Sequence, residues 1–69
     1  MLGLQRGRVT AFDVDKGYGT VTGEDGVARF FHCTQIADGS RDIAVGTDVT
    51  FQVVAGHLGR WEAADLRPA

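Results

Sequence analysis

The chain has 69 residues, a net charge of −2 and an apolar fraction of 43%. This length allows one domain at most, and the apolar fraction is that of a folded globular protein rather than a disordered one. The acidic balance counts against strong non-specific binding of nucleic acid, and the single cysteine excludes an intramolecular disulfide.

Alternating apolar and polar side chains predict five short strands with turns between them. In the first strand Val9 points into the core, and Phe12 shares the outer, polar face with Thr10 and Arg8. The strands are predicted over residues 5–12, 18–22, 27–33, 48–53 and 60–66. An Asp-Gly pair at 25–26 indicates a hairpin between the second and third strands.

The second and third strands each place aromatic or imidazole side chains on one face. Tyr18 and Thr20 share a face of the second strand, and Phe30 and His32 share a face of the third. Phe31 is predicted to be buried. Arg29 lies near the edge of the inner face and is expected to extend its guanidinium to solvent.

The segment from 34 to 45 has no strand periodicity and is the longest connection in the chain. A short helical turn at 35–37 is predicted to place Ile36 in the core. Five strands in so short a chain favour a closed barrel, because a flat sheet would leave unpaired edges. We therefore predict an all-β, five-stranded antiparallel barrel of the oligonucleotide-binding (OB) type.

The stretch 16–21, KGYGTV, places a cation beside a ring at the start of the second strand. The glycines on either side of Tyr18 are interpreted as leaving its ring open to a flat partner. Lys16 supplies a positive charge next to that ring. A ring and a cation on an exposed strand suit a nucleic-acid base and its phosphate.

Five motifs in order give the sequence a resemblance to the cold-shock domain family, from about residue 5 to residue 66. The family's K-G-F-G-F-I motif corresponds to KGYGTV at 16–21, and V-F-V-H corresponds to RFFH at 29–32. The opening G-x-V-K-W-F corresponds to GRVTAF at 7–12. The later G-x-x-V-x-F and A-A-N-V correspond to GTDVTF at 46–51 and AADL at 63–66.

The resemblance implies that aromatic side chains on the first three strands stack on bases of single-stranded DNA or RNA. The residues retained in kind at these positions are Phe12, Tyr18, Phe30 and His32. The residues that depart from the family pattern are Thr10, Ala11, Thr20 and Cys33, which replace a lysine and three aromatic residues. The aromatic residue of the long connection has no counterpart, and Arg41 lies near its place.

Basic side chains and the single tryptophan complete the predicted binding site. Phosphate contacts are assigned to Lys16, Arg8, Arg41 and Arg60. Trp61 and Arg60 follow the loop between the last two strands, and one hypothesis is that they form a relocated stacking and phosphate site. The alternative for Trp61 is a packing residue at the end of the barrel. Phe12 also has an alternative, which is to cover the edge of the core.

Catalysis and metal binding are not supported by the remaining reactive residues. His32 and Cys33 are adjacent on a strand, so their side chains diverge, and His57 is the only other candidate of this kind. Zinc requires more ligands, and a nucleophile requires an oriented base. The Gly17-Tyr18-Gly19 pattern lacks the third glycine of a dinucleotide site. We predict no enzyme activity, metal or small-molecule cofactor.

The leading prediction is a small module that binds single-stranded DNA or RNA and performs no chemistry. The resemblance implies RNA chaperoning or regulation of transcription and translation. The alternative is a protein-interaction or structural barrel that has lost most nucleic-acid contacts, which the acidic charge and missing aromatics support. With no apolar run long enough for a membrane span or signal peptide, we expect a cytoplasmic monomer.

Overall fold

The computed structural model describes residues 4–40, 42–56 and 59–69. Arg41 and His57, which the sequence singled out, lie outside the described residues. Within these ranges the chain forms five strands and one short 3₁₀ turn. They are β1 (Leu4–Asp13), β2 (Tyr18–Gly23), β3 (Ala28–His32), the 3₁₀ turn (Cys33–Gln35), β4 (Asp48–Ala55) and β5 (Trp61–Pro68).

The strands close into a barrel in the order β1-β2-β3-β5-β4. The pairs β1–β2, β2–β3, β1–β4 and β4–β5 are antiparallel. The closing pair, β3–β5, is a short parallel contact between Phe30 and Glu62. The predicted five-stranded OB-type barrel is therefore confirmed, with β1 paired on both of its edges.

The core consists of the inward-facing residues of all five strands. The largest fully buried side chains are Phe31, Phe51, Leu66, Val9, Val21 and Val49. The predicted burial of Val9 and Phe31 is thus confirmed. The helical turn forms two residues earlier than predicted, but Ile36 is buried directly after it and bridges to Leu66 of β5.

A β-bulge in β1 reverses the predicted orientation of Phe12. Val9 pairs with Val21, but the next pair is Ala11 with Thr20, so Thr10 is an extra residue in β1. One extra residue moves every later side chain to the opposite face. Phe12 consequently packs against the core, and the prediction that it shares the polar face is wrong.

Gly17 and Gly19 have structural reasons that differ from the open approach to Tyr18 that the sequence suggested. Gly17 has a φ of +75°, which favours glycine in the turn before β2. Gly19 faces inward, where a Cβ would lie 2.8 Å from Cδ1 of Phe12 and against the carbonyl oxygen of Ala11. Glycine is therefore required at position 19 because another chain segment occupies that space.

Arg29 closes one end of the barrel instead of reaching into solvent as predicted. Its side chain is only 10% exposed, and its NH2 donates to Oδ2 of Asp25 at 2.8 Å. The guanidinium lies 5.9 Å from the centroid of the Phe51 ring. The preceding turn supplies the carboxylate, and the ring face supplies a second attraction, so both hold the charge at the barrel end.

We predict that Gly19→Ala destabilises the fold by about 3 kcal/mol or more, because the added methyl meets backbone and two packed rings. Gly26→Ala is the control, since a Cβ there meets nothing within 4 Å and only its φ of +79° is unfavourable. Its expected cost is about 1–2 kcal/mol. Urea unfolding of both variants measures the difference, and equal costs would contradict the packing at Gly19.

A second prediction concerns acid stability. The hydrogen bond from Arg29, followed by that from the Val27 amide, lowers the pKa of Asp25 below its ordinary value. The ionised Asp25 carboxylate therefore stabilises the fold fully when the pH is above the ordinary carboxyl pKa. This stabilisation is lost as the pH falls through the lowered pKa of Asp25.

The measurement for this prediction is urea unfolding at neutral pH and at about pH 3. Asp25→Asn should be less stable than the parent chain at neutral pH, and the gap should shrink in acid. Glu24→Gln removes a neighbouring acid outside this ion pair and serves as the control. A gap for Asp25→Asn that is the same at both pH values would refute the assignment.

Candidate nucleic-acid interface

The outer face of β2 and β3 presents three of the predicted stacking residues in two adjacent rows. Tyr18 of β2 pairs with His32 of β3, and Thr20 pairs with Phe30, so the four side chains share one face. Tyr18 is 38% exposed and Phe30 is 47% exposed. Their ring centroids are 6.3 Å apart with the planes at 90°. We call Tyr18, Phe30 and His32 the platform.

Phe12 does not belong to the platform. It is half-buried, and its ring stacks on Phe31 with centroids 5.8 Å apart and an interplanar angle of 13°. The ring lies on the inner side of Gly19, its partner in the β1–β2 pairing. The structure therefore supports the alternative in which Phe12 covers the edge of the core.

The centre of the outer face is filled by small side chains. Because of the bulge, Ala11 faces outward and pairs with Thr20, which in turn pairs with Phe30. Thr10 also faces outward, and its hydroxyl lies 3.1 Å from that of Thr22. Thr10, Ala11 and Thr20 are three of the positions at which the sequence departs from the family pattern. The aromatic surface is therefore interrupted at the centre of this face.

Lys16 stands at one end of the platform in a turn fixed by Asp13. The Asp13 carboxylate accepts hydrogen bonds from the amides of Asp15 and Lys16 at 3.0 and 3.1 Å. The Gly17 amide donates to the Asp13 carbonyl at 2.8 Å, and the Cys33 amide donates to that of Gly17 at 2.7 Å. The Lys16 side chain is exposed two residues before Tyr18.

Arg8 lies at the opposite end of the face, in register with Thr22. Its Nε donates to Oδ1 of Asp48 at 2.9 Å, and both side chains are more than 60% exposed. An exposed ion pair of this kind contributes only about 0–1 kcal/mol, so a phosphate could compete for Arg8. Arg60 is exposed in the loop before β5, where its carbonyl accepts the Gly56 amide.

Trp61 is not brought onto the platform by the strand pairing. It pairs with Ala55 and alternates with Glu62, so it belongs to the side of β5 that also carries Ala63. Trp61 is 55% exposed. The β5 residue beside Phe30 is Glu62, which the sequence pattern did not single out.

The remaining reactive groups form no further centre in the part of the chain that the structure describes. Cys33 is a free thiol that is half-buried and packs against the core. No group of three or more His, Cys, Asp or Glu side chains is placed to hold a metal ion among these residues. Nor do they include a helix with the length and apolarity needed to cross a membrane.

Comparison with known proteins identifies the family to which this barrel belongs. The sequence model of the "'Cold-shock' DNA-binding domain" matches residues 5–69. The chain belongs to the cold-shock domain family. Members of this family generally bind nucleic acid, so the earlier resemblance is confirmed over nearly the whole chain.

Curated relatives from bacteria and a plant share more than a third of their aligned residues with this chain. Cold shock protein CspB of Geobacillus stearothermophilus is 39% identical over 57 residues, which are 81% of this chain and 86% of that protein. Cold shock protein 1 of Lactiplantibacillus plantarum is 39% identical over 66 residues, 94% and 98% of the two chains. Cold shock protein 1 of Arabidopsis thaliana is 37% identical over 62 residues, 87% of this chain and 21% of that protein.

The different positions of Phe12 and Phe30 lead to a stability prediction. Phe12→Ala should lower the free energy of unfolding by about 2–3 kcal/mol, because it removes a ring packed on Phe31. Phe30→Ala should cost less than about 1 kcal/mol, because the ring is half exposed. Urea unfolding measures both, and the reverse order of costs would show that Phe12 is not part of the core.

Proposed function

We propose that this cold-shock domain binds single-stranded DNA or RNA on the outer face of β1, β2 and β3, without chemistry. The observation that supports this most directly is the joint exposure of Tyr18, Phe30 and His32 on one face. Exposed aromatic surface costs free energy in water, and base stacking would recover it. Each stacked base contributes about 1–3 kcal/mol, with little dependence on its identity.

Phosphate contacts are assigned to cations at both ends of the platform. Lys16 precedes Tyr18, and Arg8 stands near Thr22 at the other end. A single-stranded nucleic acid lying along β2 would pass both Lys16 and Arg8. We retain two further residues as proposed phosphate contacts. They are Arg60, in the loop before β5, and Arg41, which by sequence lies in the connection between β3 and β4. With two to four such contacts, log affinity should fall with log salt at a slope of about −1.4 to −2.8.

Phe12 and Trp61 have a smaller place in this proposal. Phe12 supports the platform from below by packing against Phe31, so we assign it an indirect role. Trp61 and Arg60 could extend the site around the barrel end, as a relocated stacking and phosphate pair. Chemical-shift mapping with a short oligonucleotide tests this extension. An unchanged Trp61 indole signal while Tyr18 and Phe30 shift would remove Trp61 from the site.

The cellular role that fits such a site is RNA chaperoning or regulation of transcription and translation. A short platform with few base-specific groups binds many sequences weakly, which is the behaviour that such roles require. On the strength of the family, we also infer a cytoplasmic monomer without a cofactor. The second candidate, a protein-interaction barrel, is favoured by the small residues Ala11 and Thr20 at the centre of the face.

Fluorescence polarisation with a labelled single strand of about seven nucleotides distinguishes the two functions. We expect binding at low salt, with Tyr18→Ala and Phe30→Ala each weakening it about five- to a hundredfold, since a tenfold change corresponds to about 1.4 kcal/mol. Val45→Ala changes an exposed apolar residue outside the platform and is the matched control.

If Tyr18→Ala and Phe30→Ala both leave the affinity unchanged, the nucleic acid binds elsewhere on the barrel. Absence of binding by the parent chain at low salt, even at high micromolar protein, would overturn the proposal and favour the interaction module. Unfolding measurements on the same samples ensure that any lost binding does not come from lost fold.

A further inference from the structure

The closing contact of the barrel brings an acidic residue beside Phe30, which is more exposed than Tyr18. Phe30 of β3 pairs with Glu62 of β5 in the parallel contact. Glu62 also pairs with Val54 of β4, which is 38% exposed. Thr20, Phe30, Glu62 and Val54 therefore form one row that crosses four strands on the outer face.

The Glu62 side chain is half-buried, and its carboxyl group lies against Gly56, which directly follows β4. The carboxylate therefore leans towards β4, and it would turn back across β5 to reach a base stacked on Phe30. A carboxylate has two oxygens and about four lone-pair sites. It can keep a contact within the protein and still accept hydrogen bonds from a ligand.

A base that stacks on Phe30 would have its edge bordered by Thr20 on one side and Glu62 on the other. A carboxylate only accepts hydrogen bonds, so it favours base edges that carry amino groups. Cytosine presents its N4 amino group, adenine presents its N6 amino group, and guanine presents N1–H and N2 amino groups side by side. Thymine and uracil present mainly carbonyl oxygens, which a carboxylate repels.

We propose that Glu62 is a specificity residue that favours an amino-bearing base, namely cytosine, adenine or guanine, over thymine or uracil at the position stacked on Phe30. The inference rests on the proposed function, since it requires a base on the platform. The same negative charge lies on the outer face of the barrel, separated by β3 from the proposed phosphate path along β2. It therefore weakens the binding of every strand, and hydrogen bonds to amino groups recover part of this loss.

The test compares a labelled all-thymine heptanucleotide with heptanucleotides in which one internal thymine is replaced by cytosine, by polarisation at constant low salt. For the parent chain we expect the best cytosine-containing strand to bind about three- to tenfold more tightly than the all-thymine strand. For Glu62→Gln we expect this ratio to fall towards one. Affinity for the all-thymine strand should rise at the same time, because a negative charge has left the face.

Two controls separate the role of Glu62 from general charge and from folding. Glu24→Gln makes the same change of charge in the turn between β2 and β3, and it should leave the ratio unaltered. Replacing cytosine by N4,N4-dimethylcytosine removes the donors from the ligand and should abolish the preference of the parent protein. This second comparison uses the unaltered chain, so it stands even if a variant fails to fold.

The outcomes distinguish this inference from the proposed function. Binding of all strands with equal affinity by the parent chain would overturn the role of Glu62 and leave base stacking intact. A preference for cytosine that persists in Glu62→Gln would assign the selection to another residue. Binding of no strand by any form would overturn the proposed function itself.

Discussion

The extra residue in β1 couples the core of this barrel to its outer surface. Up to Val9 the inward positions follow the simple alternation, and Thr10 then shifts the register by one. The shift turns Phe12 inward, where it stacks on Phe31 across Gly19. The same shift turns Ala11 outward, into the centre of the proposed binding face. Removing the bulge would therefore alter both packing and surface together.

The consequence for binding is a platform of limited extent. Tyr18 and His32 form one row, and Phe30 stands in the next, beside the small side chain of Thr20. At about 1–3 kcal/mol for each base, the proposed stacking of two or three bases would give moderate affinity after the cost of ordering a flexible nucleic-acid strand. The net charge of −2 opposes the long-range approach of a polyanionic strand. These features favour weak binding with rapid release.

The sequence was sufficient where structure depends on local alternation, and insufficient where it depends on contacts between distant segments. The strands, the burial of Val9 and the shared face of Tyr18 with Thr20 follow from a period of two. No sequence pattern predicted the bulge at Thr10, because the residues of β1 on their own do not show where the pairing with β2 shifts by one residue. The pairing of Phe30 with Glu62 joins strands that are not consecutive, so local pattern could not reveal it.

Arg29 and Glu62 illustrate how contacts between distant segments of the barrel determine the environment of a charged side chain. Arg29 stands on an inward strand position and is tolerated because Asp25 and the Phe51 ring meet its guanidinium at the barrel end. Glu62 stands on an outward position, next to a ring that would otherwise accept any base. In the proposed complex, a negative charge there would lower the affinity for nucleic acid unless the base supplies hydrogen-bond donors. Selectivity on this face would thus arise from penalising unsuitable bases, at the expense of overall affinity.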